Sequence, residues 1–170
     1  AWNADGTRMP YRQHSEVLRR LYVDNELFQG KYMVGGRAVS ISNIHCPMFA
    51  VAAVADHVAP WRSVYKLHLQ SDSAELTFAL TSGGHNVGIV NEPGHPRRSF
   101  QLSVCREGER FLDAETWKER TPKFEGSWWP VWQEWLVRHS SGSEAAPPMG
   151  APEKGYTALC EAPGTYIFQQ

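Results

Sequence analysis

Two short apolar runs, each ending near a residue that can do chemistry, constrain this chain more than anything else in it. Pro47-Met48-Phe49-Ala50-Val51-Ala52-Ala53-Val54 leads to Asp56, and Leu76-Thr77-Phe78-Ala79-Leu80 leads through Thr81-Ser82-Gly83-Gly84 to His85. The first run is apolar at successive positions, not alternate ones, so a strand built from it needs cover on both faces. That is the demand of a central strand in a parallel sheet. Residues 60–69 between the runs read as a helix, giving a β-α-β rhythm and an α/β sheet with flanking helices. Ligands of such sheets bind beyond the carboxyl ends of the strands, where Asp56 and His85 both fall.

Around these runs the chain divides into three parts. Residues 1–10 read as a loop and 10–27 as a helix, with Pro10 suited to its first turn. Lys31-Tyr32-Met33-Val34 and Arg37-Ala38-Val39-Ser40 flank Gly35-Gly36 as a hairpin. The core then runs over 41–140, with strands at 44–54 and 73–81 and outer helices at 114–120 and 128–139. Residues 99–105 fit either a further strand or an irregular connection. Residues 141–170 form a tail: 140–155 is rich in Ser, Pro, Ala and Gly, and Ala162-Pro163-Gly164-Thr165-Tyr166 marks a turn. No internal repeat is visible.

Composition excludes several functions. A net charge of −1 is unlike a generic nucleic-acid binder, which carries a basic stripe. No apolar stretch reaches the ~20 residues of a membrane span. Ala1-Trp2-Asn3-Ala4-Asp5 has neither the basic start nor the apolar core of a leader peptide, and a cytoplasmic setting is expected. Cys46, Cys105 and Cys160 are odd in number and far apart, so neither a disulfide framework nor a CxxC metal site is indicated. Cys46, before its strand and at the end of the sheet opposite Asp56, is expected to be a buried structural thiol. No phosphate loop or metal-ligand set is present, and no bound cofactor is expected.

An aspartate followed about 30 residues later by a histidine, each on a loop leaving the sheet, resembles the last two members of an α/β-hydrolase triad in their chain order. A carboxylate accepting the imidazole N–H fixes its tautomer, and the histidine then serves as general base toward Ser or Cys. Taken singly, Asp56 could cap the helix near Pro60, and His85 could be a turn residue bonded to backbone. Order, spacing and strand-end context together favour the catalytic reading. His57, directly after the acid, reads as a helix-entry or pocket-lining residue. No G-x-S-x-G or G-x-C-x-G elbow is present, so the chain is expected to be the C-terminal part of an enzyme whose nucleophile lies upstream.

Longer motifs carry a sharper resemblance. Trp2-Asn3-Ala4-Asp5-Gly6-Thr7-Arg8-Met9-Pro10, Asp56-His57-Val58-Ala59-Pro60-Trp61, Ser82-Gly83-Gly84-His85-Asn86-Val87-Gly88-Ile89-Val90, Gly126-Ser127-Trp128-Trp129-Pro130-Val131-Trp132 and the tail turn closely resemble the polyhydroxyalkanoate synthases, most like class I. The resemblance spans the chain and matches roughly the last third of such an enzyme. It implies an α/β-hydrolase core with a mostly parallel sheet, preceded over residues 1–40 by the end of a cap and a hairpin. It implies polymerisation of (R)-3-hydroxyacyl-CoA into polyester with release of CoA, so that CoA is substrate and leaving group. His85 would be the catalytic histidine activating an upstream cysteine thiol, a strong nucleophile near neutral pH. Asp56 would either orient His85 or help it deprotonate the 3-hydroxyl of the next acyl unit.

By the same resemblance Trp2, His57, Trp61 and Asn86 lie toward the substrate, and the growing polyester chain, the granule surface and a second copy of the enzyme are the partners. Trp2 fits core packing nearly as well, and the spacing of Trp128, Trp129 and Trp132 fits a buried helix face. Two features depart from the family: the missing elbow, and Ser82-Gly83-Gly84-His85-Asn86, where many class I members differ before the Gly-His pair and carry Ile after it. The Pro-rich stretch Ala146-Pro147-Pro148-Met149-Gly150-Ala151-Pro152 looks particular to a subgroup.

The competing readings are a serine esterase or polyester depolymerase on the same fold, and a non-catalytic piece that binds granules or dimerises through its aromatic surface. An α/β sheet completed by strands outside this chain also predicts an unpaired edge. Expressed alone, the chain is expected to be poorly soluble; a soluble monomer with a cooperative melt would contradict this.

Overall fold

The computed structural model describes residues 6, 8–165 and 168. Its helix α1 (Tyr11–Val17) starts behind Pro10 and runs into a π-helical segment, Leu18–Val23. The helix expected over 10–27 therefore stops early, just before Asn25 takes a left-handed turn at φ 50°. Strands β1 (Tyr32–Val34) and β2 (Arg37–Val39) form the expected antiparallel hairpin about Gly35 and Gly36, both at positive φ.

Beyond the hairpin the two apolar runs become β3 (Met48–Ala53) and β4 (Glu75–Thr81). They pair in parallel from Met48↔Leu76 to Ala53↔Thr81. The connection between them is helical but broken near Lys66, giving α2 (Trp61–Tyr65) and α3 (Leu67–Gln70). Strand β5 (Ser99–Arg106), helix α4 (Ala114–Arg120), strand β6 (Lys123–Glu125) and helix α5 (Trp129–Arg138) follow, and the sheet order is β3-β4-β5-β6.

The expectation of a mostly parallel sheet is corrected here. Only β3 and β4 are parallel; β5 runs antiparallel to β4, and β6 antiparallel to β5. The cause is the connection over 82–98. A parallel partner would require a crossover, usually helical, back to the far end of the sheet. This connection holds no regular helix and re-enters the sheet where it left, with Thr81 opposite Phe100. The alternation of Phe100, Leu102 and Val104 with Gln101, Ser103 and Cys105 is the pattern of such a strand.

Each face of the sheet has its own helical cover. Ala50, Ala52, Leu76, Phe78 and Leu80 pack with Trp61 and Tyr65 of α2 and Trp117 of α4. The polar positions of β5 on that side are used to dock α4: the Trp117 indole donates to Ser103 Oγ, and the Gln101 amide donates to the carbonyls of Lys118 and Thr121. Phe49, on the other face of β3, meets Trp128 at 6.1 Å and Trp135 of α5 at 5.8 Å between ring centroids. Rings of this size bury large apolar areas, and edge and offset contacts of this kind add to the burial.

Among the described residues β3 has β4 as its one strand partner, so its other edge is open. Residues 139–165 are exposed nearly throughout, with one short 3-10 turn at Pro152–Lys154 and a single bridge between Ala151 and Tyr156. Cys46 is corrected as well. It is exposed, because it lies in the irregular approach to β3, where only its carbonyl is used, accepting from Ser73 Oγ. No helix among the described residues is long and apolar enough to cross a membrane.

Candidate active site at the strand ends

The parallel pairing of β3 and β4 does not stop where the strands do. Val54 N donates to Thr81 O at 2.9 Å, and Ala55 N to Gly83 O at 2.9 Å. These bonds carry the two chains side by side past the sheet, and the next polar side chains on each are Asp56 and His85. His85 Nδ1 lies 2.9 Å from Asp56 Oδ2. The other carboxylate oxygen, Oδ1, accepts from the backbone N–H of Val58 at 2.8 Å and of Ala59 at 2.9 Å. The capping and catalytic readings of Asp56 are thus compatible: one oxygen closes the turn leading to α2 and the other is left for the imidazole.

This division of labour sets the chemistry. The Asp56 side chain is only 6 % exposed, and a buried carboxylate is costly unless its oxygens are paired. The Ala59 N–H is the largest influence holding its carboxyl below the usual range; loss of water works against this, and His85 and Val58 add to the lowering. A carboxylate can only accept, so Nδ1 of His85 must carry the proton, which leaves the lone pair on Nε2. The His85 side chain is 47 % exposed. The pair can therefore present a correctly tautomerised base to a group brought from outside these residues.

Glycine makes the histidine's loop possible. Gly83 sits at φ +99°, a conformation L side chains rarely adopt. Gly88 lies against the end of β3: an added Cβ would fall 2.5 Å from Ala53 Cβ and 2.9 Å from Gly84 O. Neither neighbour can swing aside, since one is a methyl on a buried strand and the other backbone. Gly88→Ala is expected to destabilise the fold by about 1–3 kcal/mol and to push the loop off β3. A denaturation midpoint equal to wild type would contradict this close approach.

Among the other predicted site residues, His57 is exposed beside Asp56, and Asn86 is half-buried in the loop, its carbonyl accepting from Ile89 N and Val90 N. Trp61 is 2 % exposed. Its ring belongs to the core, with the Arg62 guanidinium 4.7 Å and the Lys118 ammonium 5.6 Å from its centroid. Trp2 lies outside the described residues. Reasoning from sequence missed two contributions: the close approach of Gly88, signalled by three glycines within 83–88, and the contacts that Trp128 and Trp129 make with the loop.

Two cavities among the described residues lie away from the paired side chains. One of about 480 Å³ lies at the opposite end of the sheet, lined by His45, Asp72, Glu107 and their neighbours. Another of about 320 Å³ reaches the backbone of Ala55 and Gly83 from the α4 side, with Lys118 and Lys123 among its lining residues. Neither is lined by Asp56 or His85, so the assignment rests on the paired side chains.

No protein-family model matches the chain. Curated relatives do. The poly(3-hydroxyalkanoate) polymerase subunit PhaC of Rhizobium meliloti is 36 % identical over 166 residues, 98 % of this chain and 26 % of the relative. Poly(3-hydroxyalkanoate) polymerase 1 of Ectopseudomonas oleovorans is 32 % identical over 171 residues, 99 % of this chain and 29 % of the relative. The PhaC subunit of Cupriavidus necator is 30 % identical over 167 residues, again 98 % of this chain and 27 % of the relative. The chain thus spans between a quarter and a third of the length of these proteins.

Proposed function

By sequence the chain belongs with the poly(3-hydroxyalkanoate) polymerases, and from that premise we propose that it supplies the acid and base of a polyester-forming acyltransferase on an α/β-hydrolase core. The nucleophile in this reading is a cysteine on another part of the protein. His85 Nε2 takes the proton from that thiol, and the thiolate attacks the thioester carbonyl of (R)-3-hydroxyacyl-CoA. The C–S bond to CoA breaks, CoA leaves with a proton returned by His85, and the acyl group stays on the cysteine. His85 then takes the proton from the 3-hydroxyl of a second acyl unit. That oxygen attacks the acyl-cysteine, an ester bond forms, and the thiol is released.

The observation that carries this is the 2.9 Å contact between His85 Nδ1 and an aspartate whose second oxygen is held by two backbone N–H groups. Asp56 in this arrangement orients the imidazole and stabilises its charged form; it need not exchange a proton itself. His57 and Asn86 flank the pair and are assigned to the substrate side. The growing polyester, its granule surface and a second copy of the enzyme are partners of the longer protein in the same reading.

The test uses the longer natural protein that contains this sequence. (R)-3-hydroxybutyryl-CoA is supplied, and free CoA is measured with a thiol reagent beside the polymer formed. CoA release with polyester accumulation supports a transferase. CoA release with only free hydroxyacid, or a serine where the cysteine is expected, would replace it with the hydrolytic reading.

A further inference from the structure

The loop carrying His85 is fastened from outside by the start of α5. Trp128 Nε1 donates to the carbonyl of Gly88 at 3.1 Å, and Trp129 Nε1 donates to that of Ile89 at 2.9 Å. Ser127 Oγ donates to the Asn91 carbonyl and accepts from Trp129 N at 3.0 Å, while the fully buried Asn91 amide donates to Thr81 Oγ1 at 3.2 Å. Within the loop, Gly88 N donates to Gly84 O at 2.8 Å, closing the turn that contains His85. Gly88 thus ties both ends together: its N–H binds the residue before His85, and its carbonyl is held by Trp128.

We infer that Trp128 and Trp129 are positioning residues for His85, their two indole N–H groups fixing the 84–89 turn so that the imidazole meets Asp56. This rests on the acid–base role given to His85. Trp128 is 4 % exposed and its ring stacks on Phe49 of β3, so the donor is anchored to the strand that leads to Asp56. Both halves of the pair are then referred to one strand: Asp56 through the chain, and His85 through Gly88 and the indole. Trp132, on the next turn of α5 and 37 % exposed, contacts the Trp128 ring at 5.6 Å but holds no carbonyl of the loop. Small errors of placement at a reacting group cost rate more than binding.

The test is made in the longer natural protein with Trp128→Phe, Trp129→Phe and, as a control, Trp132→Phe, each of which keeps a ring and removes an N–H. For the first two, kcat is expected to fall about tenfold with KM changed less than about twofold. Amide exchange of the peptide spanning 83–91 is expected to rise by about tenfold without a matching loss of protection in β3 and β4. Trp132→Phe should move neither. The half-buried Trp129 keeps the test open if Trp128→Phe fails to fold. The exchange measurement needs no substrate, so it reads the clamp even if the polymerase reading fails. Unchanged exchange over 83–91 in both variants, or an equal effect of Trp132→Phe, overturns the inference.

Discussion

Replacing His85 with alanine in the longer protein is expected to lower CoA release from (R)-3-hydroxybutyryl-CoA by about 10⁴-fold or more, with the fold intact. The loss follows from what the side chain alone supplies. Nε2 is the free lone pair of a ring whose other nitrogen is committed to Asp56, and the described loop offers no second group at that position. His57 directly follows the acid in the chain but is exposed and without the Nδ1 contact to Asp56 that His85 makes. Stability should change little, because the ring is half exposed and its loop is held by Gly88 and the two indoles instead. Steady-state CoA release and a denaturation curve check the two halves of this result. Residual activity within tenfold of wild type would show that His85 is not the base.

Asp56→Asn is expected to cost about 10³- to 10⁴-fold in the same assay, somewhat less than loss of the histidine. The amide can still serve the Val58 and Ala59 N–H groups through its carbonyl oxygen, so the turn into α2 should survive. Toward His85 it offers an N–H or a weak acceptor, which favours the wrong tautomer and withdraws the charge that stabilises the imidazolium. The variant should also change stability against pH. Asp56 has its carboxyl lowered in the fold, chiefly by Ala59 N–H. A lowered group stabilises the native state above its unfolded value, about 3.9 for aspartate, and that contribution is lost as pH falls toward the folded value. Wild type should therefore lose stability through that acid window more steeply than Asp56→Asn. Denaturant midpoints at a series of pH values measure it, and parallel curves would contradict the bonding described for Oδ1 and Oδ2.

The legibility of this molecule varies with how local the determining physics is. The runs at 47–54 and 76–80 announced buried neighbouring strands because continuous apolarity has few other uses, and the helix expected over 114–120 has those bounds, with Asp113 capping its start in the structure. The direction of β5 was not read, although its alternation pointed to an antiparallel strand, because the 82–98 connection was counted only as a loop. The helix over 10–27 was overextended, since an apolar stripe does not reveal a left-handed Asn25. Strand β6 has three exposed residues and no apolar signal, and exists because it meets Ser99, Phe100 and Gln101. Asp56 and His85 were singled out by strand-end position and order, and the structure brings their side chains together. The indole clamp was not, because nothing local in the sequence tells which carbonyl, some 40 residues earlier, an indole N–H will find.

In the proposed reaction His85, oriented by Asp56, activates a thiol supplied by another part of the protein for attack on an acyl-CoA. The most direct measurement is to mix the longer protein with (R)-3-hydroxybutyryl-CoA, quench within one turnover, and locate the acyl group by peptide mass spectrometry. A hydroxybutyryl thioester on one cysteine outside this chain is expected in wild type, with its near absence in His85→Ala over the same interval. An acyl group on a serine, or a cysteine acylated equally fast without His85, would contradict it.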